Sequence, residues 1–117
     1  MKAVIGFALK FRAELLYNGT ASDLTGATTW AAFRDHRTGQ DLGTISGVLA
    51  DPVGGEILHA DFEYTGAQTA TWPEPAGSSL SGFAVGDVVV EKADGTPLVT
   101  EQITIPIFKS VAGATAP

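Results

Sequence analysis

Hydrophobic and polar residues alternate along much of this chain, with a period close to two. In the first such run, Phe11, Ala13, Leu15 and Tyr17 share one face, while charged residues fill most positions between them. This pattern is typical of a β-strand with one buried face. Further runs cover about 27–36, 42–50, 56–64 and, on both sides of a turn, 83–107.

Residues that favour turns separate these runs. Asp94-Gly95 lies between two apolar runs and predicts a hairpin, and the segment "DPVGG" at 51–55 predicts a break in the chain. The irregular region from 65 to 82 has room for one helical turn around 67–71, before Pro73 and Pro75.

The fold class follows from these strands and breakers. No stretch keeps a period of 3.6 over three turns, and 14 glycines in 117 residues disfavour long helices. The sequence therefore predicts one all-β domain over 1–117: an immunoglobulin-like antiparallel β-sandwich of about seven strands, with a small barrel as the less favoured alternative. Residues 1–8 and 109–117 are expected to be loose tails or to order on assembly.

The apolar start of the chain is interpreted as part of a first strand. It is too short to span a membrane, and charged residues follow at Lys10, Arg12 and Glu14 without a clear cleavage site. We therefore expect neither a signal peptide nor a membrane segment.

Charge limits the classes of partner. Thirteen acidic and seven basic residues give a net charge of −6, which disfavours binding to nucleic acid or to anionic lipid. The chain has no cysteine, so disulfides, thiolate catalysis and cysteine zinc sites are excluded.

Candidate catalytic and metal-binding groups are sparse. His36 and His59 lack a second ligand at short spacing, and the glycine-rich segments with carboxylates do not match a calcium-binding loop. No nucleophile elbow or phosphate-binding loop is present, and no local motif singles out a pair of carboxylates. We expect no enzyme activity and no cofactor, and we name no catalytic, cofactor or metal residue.

The aromatic residues suggest protein contacts instead. Trp30 shares a strand face with Arg34, and these two residue types are enriched at binding hot spots. The alternative for Trp30 is shielding within its own domain. Trp72 is either a plug at one end of the sandwich or a surface for stacking a ligand. Phe108 lies on the face opposite the isoleucines of its strand, and Pro106 indicates the end of that strand or a sheet edge. The candidate interface residues are Trp30, Arg34, Trp72, Pro106 and Phe108.

The order of motifs resembles a known family. An "F-x-A-x-L" strand is followed by "SDLTGA", a strand ending in "RD", a "TGQ" turn, "DPVGGEILHADF", "TGAQTATW" and "GFAVGDVVVEKADGTPLVT". Over about residues 9–105, this order is similar to the N-terminal domains of upper baseplate proteins of tailed phages and to related small phage tail proteins. The insert "WPEPAGSSLSG" is longer than the usual turn, and the chain lacks the long extension that follows this domain in full-length baseplate proteins.

The resemblance implies a non-enzymatic structural protein that assembles in many copies on a virion. Its expected partners are other phage structural proteins and further copies of itself. A carbohydrate-binding or receptor-binding module is one alternative, and a decoration protein on the phage head or tail is another. A hydrolase is a third, weaker rival.

Overall fold

The computed structural model describes residues 1–17, 24, 26–53, 57–74 and 81–109, which form two β-sheets and one short helix. In chain order the elements are β1 (Ala3–Val4), β2 (Leu9–Leu16), β3 (Thr28–Asp35), β4 (Asp41–Ser46), β5 (Val48–Val53), β6 (Ile57–Tyr64), α1 (Gly66–Thr69), β7 (Ser81–Glu91) and β8 (Pro97–Phe108).

The two sheets confirm the predicted β-sandwich, with eight strands among the described residues where about seven were predicted. One sheet has five strands in the order β1-β8-β7-β3-β4, and the other has three in the order β2-β6-β5. All pairs of neighbouring strands are antiparallel except β1 and β8, which run parallel. The chain crosses repeatedly between the sheets, so neither sheet is a unit of consecutive strands.

Alternate side chains from both sheets fill the core, as the period of two predicts. On β2 the buried positions include Leu9, Phe11, Ala13 and Leu15, while the residues between them are exposed. Aromatic rings join the layers: Phe11 stacks on Phe62 at 5.2 Å between ring centroids and meets Phe33 of the opposite sheet edge-on at 5.9 Å. Such pairs add to the free energy of burial through ring electrostatics.

Helix α1 is the helical turn that the sequence predicts. The Thr65 hydroxyl accepts the backbone N–H of Gln68, and the Gln68 side chain accepts the backbone N–H of Thr65, which is a capping box. Thr69 is buried and connects the helix to the start of the chain, because its hydroxyl accepts the Gly6 N–H and donates to the Phe7 carbonyl.

The run predicted as one strand over 42–50 is two strands in different sheets. The chain changes sheets at Gly47, where a Cβ atom would lie 2.5 Å from the ring of Phe62 and 2.8 Å from the carbonyl of Asp61. The predicted break at "DPVGG" is also displaced, because Asp51 to Val53 complete β5. Pro52 fits there since β5 pairs only with β6 and carries a register shift at this point.

The start of the chain is more ordered than we expected for residues 1–8. Ala3 is buried and pairs with Ile107, and Val4 pairs with Phe108. The interpretation of the apolar start as part of the first strand was wrong, because β1 and β2 are separate strands in different sheets, and the two residues of β1 are too few to carry a readable periodicity.

Several predictions fall outside the described residues. These are the turn at 18–23, the glycine pair with Glu56 at 54–56, most of the insert at 75–80, and the tail at 110–117. The Asp94-Gly95 hairpin is described and confirmed, with Gly95 at φ 89° and the Asp94 carboxylate accepting the Thr96 N–H.

Substituting Gly86 with alanine is expected to destabilise the fold by about 1–3 kcal/mol, the usual cost of overpacking. A Cβ atom there would lie 2.2 Å from the Ala32 carbonyl and 2.5 Å from the Phe33 ring. Denaturant unfolding measures the loss. The control is Ala32→Val, which adds more volume one strand away on the outer side of the sheet. Equal stability of Gly86→Ala and the wild type would contradict this packing.

Candidate contact face

The outward side chains of the five-stranded sheet form one continuous surface, which we call the contact face. The strand register aligns its rows: Trp30 lies opposite Val89, which lies opposite Thr100. Four of the five predicted interface residues lie on this face. Its members on the three central strands are Thr28, Trp30, Ala32, Arg34, Phe83, Val85, Asp87, Val89, Glu91, Thr100, Gln102, Thr104, Pro106 and Phe108.

Trp30 is a half-buried side chain on the contact face. Its indole Nε1 donates to Glu91 Oε1 at 2.9 Å, a bond that reaches diagonally from β3 to β7. Val89, directly opposite on β7, is only 6% exposed although it also points outward. The ring is therefore partly shielded within its own domain, as the alternative for Trp30 predicts, while the rest of it stays accessible.

A second apolar region lies at the opposite end of the contact face. Phe83 is 42% exposed and stacks on the ring of His36 at 4.5 Å between centroids. Pro106 lies opposite Phe83, and Phe108 follows one row further, with the Lys2 ammonium 5.4 Å from its ring centroid. This region contains Pro106 and Phe108, which were predicted from the sequence, and also Phe83 and His36, which were not. Phe83 shares one face of the 83–91 run with Val85 and Asp87. This alternation is the signal that could have identified Phe83 as an outward-facing aromatic residue.

Arg34 lies in a polar groove between the two apolar regions. The groove has a volume of about 530 Å³, and its polar lining includes Arg34, His36, Asp41, Asp87 and Gln102. Trp30 and Arg34 are four residues apart on one strand, which is about 13 Å. The contact face thus has apolar ends and a charged, hydrogen-bonding middle.

Trp72 is not on the contact face. It is 3% exposed, its Nε1 donates to the Leu42 carbonyl at 3.2 Å, and its ring meets Tyr64 edge-on at 5.0 Å. Trp72 is therefore buried, as predicted for a plug, and its prediction as an interface residue is wrong because almost none of its surface is accessible in the folded chain. Tyr64 in turn donates to the Gly43 carbonyl at 2.8 Å, and burial raises the pKa of its hydroxyl, so the donor proton is retained.

The outer face of the three-stranded sheet has a different chemistry. Opposite charges pair across β2 and β6 in register, with Lys10 and Glu63 3.4 Å apart and Arg12 bound to Asp61 through two bonds of 2.7 and 3.0 Å. His59 lies on this face, 3.9 Å from Glu14. We call this the ladder face. Four of its charged side chains, Lys10, Arg12, Asp61 and Glu63, are paired within the chain and so present little unpaired charge to a partner.

The Arg12–Asp61 pair predicts a pH effect on stability. Hydrogen bonds from Arg12 lower the pKa of Asp61, and burial opposes this only in part. A carboxyl with a lowered folded-state pKa stabilises the fold above its unfolded-state pKa of about 3.9 and loses this contribution as the pH falls through the folded-state value.

We therefore expect the melting temperature of Asp61→Asn to fall less than that of the wild type between pH 7 and pH values below about 4. Scanning calorimetry across this range measures the difference. Glu63→Gln is the control, since Glu63 contributes a single, longer ion pair. Parallel curves for the wild type and Asp61→Asn would contradict the role of this pair.

Within the described part of the chain, no three histidine or acidic side chains are grouped closely enough to hold a metal ion. In the same residues, no helix has the length and hydropathy needed to cross a membrane.

The fold and its outer surfaces define a β-sandwich with one aromatic outer face and one charge-paired outer face. No protein-family model matches the chain, and no curated protein sequence matches it.

Proposed function

We propose that this chain is a structural virion protein of a tailed bacteriophage, a tail or baseplate component that acts by protein–protein assembly. It is made in the host bacterial cytoplasm and incorporated into the virion. The resemblance of residues 9–105 to phage baseplate domains supports the class. The observation that carries the proposal is the contact face, which collects Trp30, Arg34, Pro106 and Phe108 on one surface.

The contact face has the composition of a protein interface. Interface cores are enriched in aromatic residues and arginine and depleted in lysine, and Trp30, Phe83 and Arg34 fit that composition. The apolar ends supply buried area on contact, and the polar middle supplies hydrogen bonds that fix the orientation. The ladder face pairs most of its charges within the chain and also exposes the apolar side chains of Leu16 and Val48, so the contact face differs from it in carrying the aromatic residues and Arg34.

Particle composition tests the proposal. We expect gradient-purified particles of the phage or prophage that encodes the chain to contain it in many copies, measured by quantitative mass spectrometry. Separating heads from tails distinguishes a tail or baseplate component from a head decoration protein. Absence of the chain from particles, when it is abundant in the lysate, would refute the virion role.

A second candidate is a carbohydrate-binding module, favoured by the polar groove on the contact face. Charged and amide side chains line it, and the exposed ring of Phe83 stacks on His36, one of its lining residues. Titration of tryptophan fluorescence with host cell-surface polysaccharide tests this, because Trp30 lies one row from the groove. Saturable quenching of the monomer, lost in Arg34→Ala, would favour the binding module over assembly.

A further inference from the structure

We propose that two copies of this chain associate by pairing the open edges of their β8 strands, antiparallel and centred on Gln102. This rests on the proposed assembly function and deepens it, because it names the first partner and the strand that recognises it. The two five-stranded sheets would become one continuous sheet across a twofold axis.

The backbone of β8 has an unpaired side. The Phe83 carbonyl accepts the His36 N–H and so points toward β3, and the Phe108 carbonyl accepts the Ile5 N–H and so points toward β1. Phe83 pairs with Pro106, two residues before Phe108, and the β7–β8 ladder has no register shift between 99 and 108. Every second residue of β8 in this range therefore has the same orientation as Phe108. By alternation, the N–H and carbonyl groups of Thr100, Gln102 and Thr104 also point away from β7.

No described strand covers this part of β8. Its pairing with β1 involves only Ile107 and Phe108, and Thr100, Gln102 and Thr104 are all exposed. Pro106 faces the same side and lacks an N–H, so it ends the open edge at 104.

Other sheet edges carry features that block pairing. Trp72 and Tyr64 occupy the carbonyls of Leu42 and Gly43 on β4. β5 contains Pro52 and a register shift. β2 carries a row of charges that begins at Lys10. Proline, bulges and charge are the usual means of protecting an edge strand. The open part of β8 has one charge, Glu101.

The occupant is a second copy because the segment "TEQIT" at 100–104 is complementary to itself. Centred on Gln102, Thr100 lies opposite the partner's Thr104, and Glu101 lies opposite the partner's Ile103. Three pairs that exchange two bonds each give about six backbone hydrogen bonds. Threonine pairs are favourable across strands, and like charges directly opposite are not. A register centred on Glu101 would place the Glu101 carboxylates of the two copies opposite each other. A register centred on Thr104 would place Gln102 opposite the partner's Pro106, which has no N–H to donate.

Single cysteines test this pairing, since the chain has none of its own. Paired residues of this kind have Cα atoms about 5.5 Å apart, within the range of a disulfide. Gln102→Cys is expected to form a covalent dimer on mild oxidation or with a short bismaleimide. Thr44→Cys is the control, because it lies on the same face three strands from β8. Equal cross-linking of the two variants would overturn the inference.

Solution mass gives the second measurement. Light scattering of the wild type is expected to reach twice the 12.1 kDa of one chain. Gln102→Pro removes an N–H on the open side only, as Pro106 already does, and should raise the dissociation constant at least about tenfold. If that variant fails to fold, Thr100→Lys with Thr104→Lys places like charges opposite each other and should have the same effect.

The outcomes separate this inference from the virion role. A wild type that stays monomeric up to about 1 mM would overturn β8 pairing, whether or not particles contain the chain. A dimer that persists unchanged in the Gln102→Pro and lysine variants would also overturn it. A dimer cross-linked at Gln102 from a chain that particles lack would support the pairing and refute the virion role.

Discussion

Trp72→Ala is expected to lower the free energy of unfolding by about 3–5 kcal/mol, the range for removing a large buried aromatic side chain. Three contributions combine. The indole is buried, its edge-on contact with Tyr64 is lost, and the Leu42 carbonyl loses the N–H that it accepts. A loss of this size approaches the whole stability of a small domain.

Urea unfolding followed by far-UV circular dichroism measures this effect. Trp72→Phe is the matched control, because it keeps one six-membered ring and removes the hydrogen bond and the second ring, for a smaller expected loss of about 1–3 kcal/mol. A folded Trp72→Ala protein with wild-type stability would show that Trp72 is not a core residue. Normal incorporation of a folded Trp72→Ala protein into particles would leave this conclusion unchanged, since Trp72 lies off the contact face.

Trp30→Ala is expected to have the opposite profile, with a large effect on assembly and a small one on stability. Its half-buried ring and its bond to Glu91 contribute about 1–2 kcal/mol to the fold. As an anchor of the contact face, it should weaken binding to neighbouring virion proteins by about 30-fold or more, which corresponds to about 2 kcal/mol.

Competition between tagged wild-type and variant chains for incorporation into particles measures the assembly effect. Thr28→Ala is the control, because Thr28 is exposed on the same strand and the same face. Incorporation of Trp30→Ala at the wild-type level would remove Trp30 from the interface. Destabilisation by more than about 3 kcal/mol would make it a core residue instead.

The contact face shows how much of the site the alternation of side chains predicts. Within a strand the sequence placed Trp30 with Arg34, and Phe108 opposite the isoleucines, because side chains of a strand alternate between two faces. It could not show that these two strands contribute to the same face. That depends on β7 lying between β3 and β8, which is a property of strand order and not of any local pattern.

The fold shows the same division. Alternation and turn residues were sufficient for the class of fold, because a buried face with a period of two is a strong local signal. The change of sheet at Gly47 was not readable, since it depends on the close approach of the Phe62 ring from a distant strand. Nor was β1, whose two residues are held by backbone bonds to β8.

By itself, then, the sequence determined that this protein is built from β-strands with one buried face, and that some aromatic residues lie on the outward faces of those strands. The tertiary structure alone decided which of those aromatic residues meet. It buried Trp72 against Tyr64 and aligned Trp30 with Pro106 and Phe108 on one sheet. The physical reason is that the face to which a side chain points is set by its position in its own strand. Which side chains it contacts is set by the pairing of strands that are far apart in the chain.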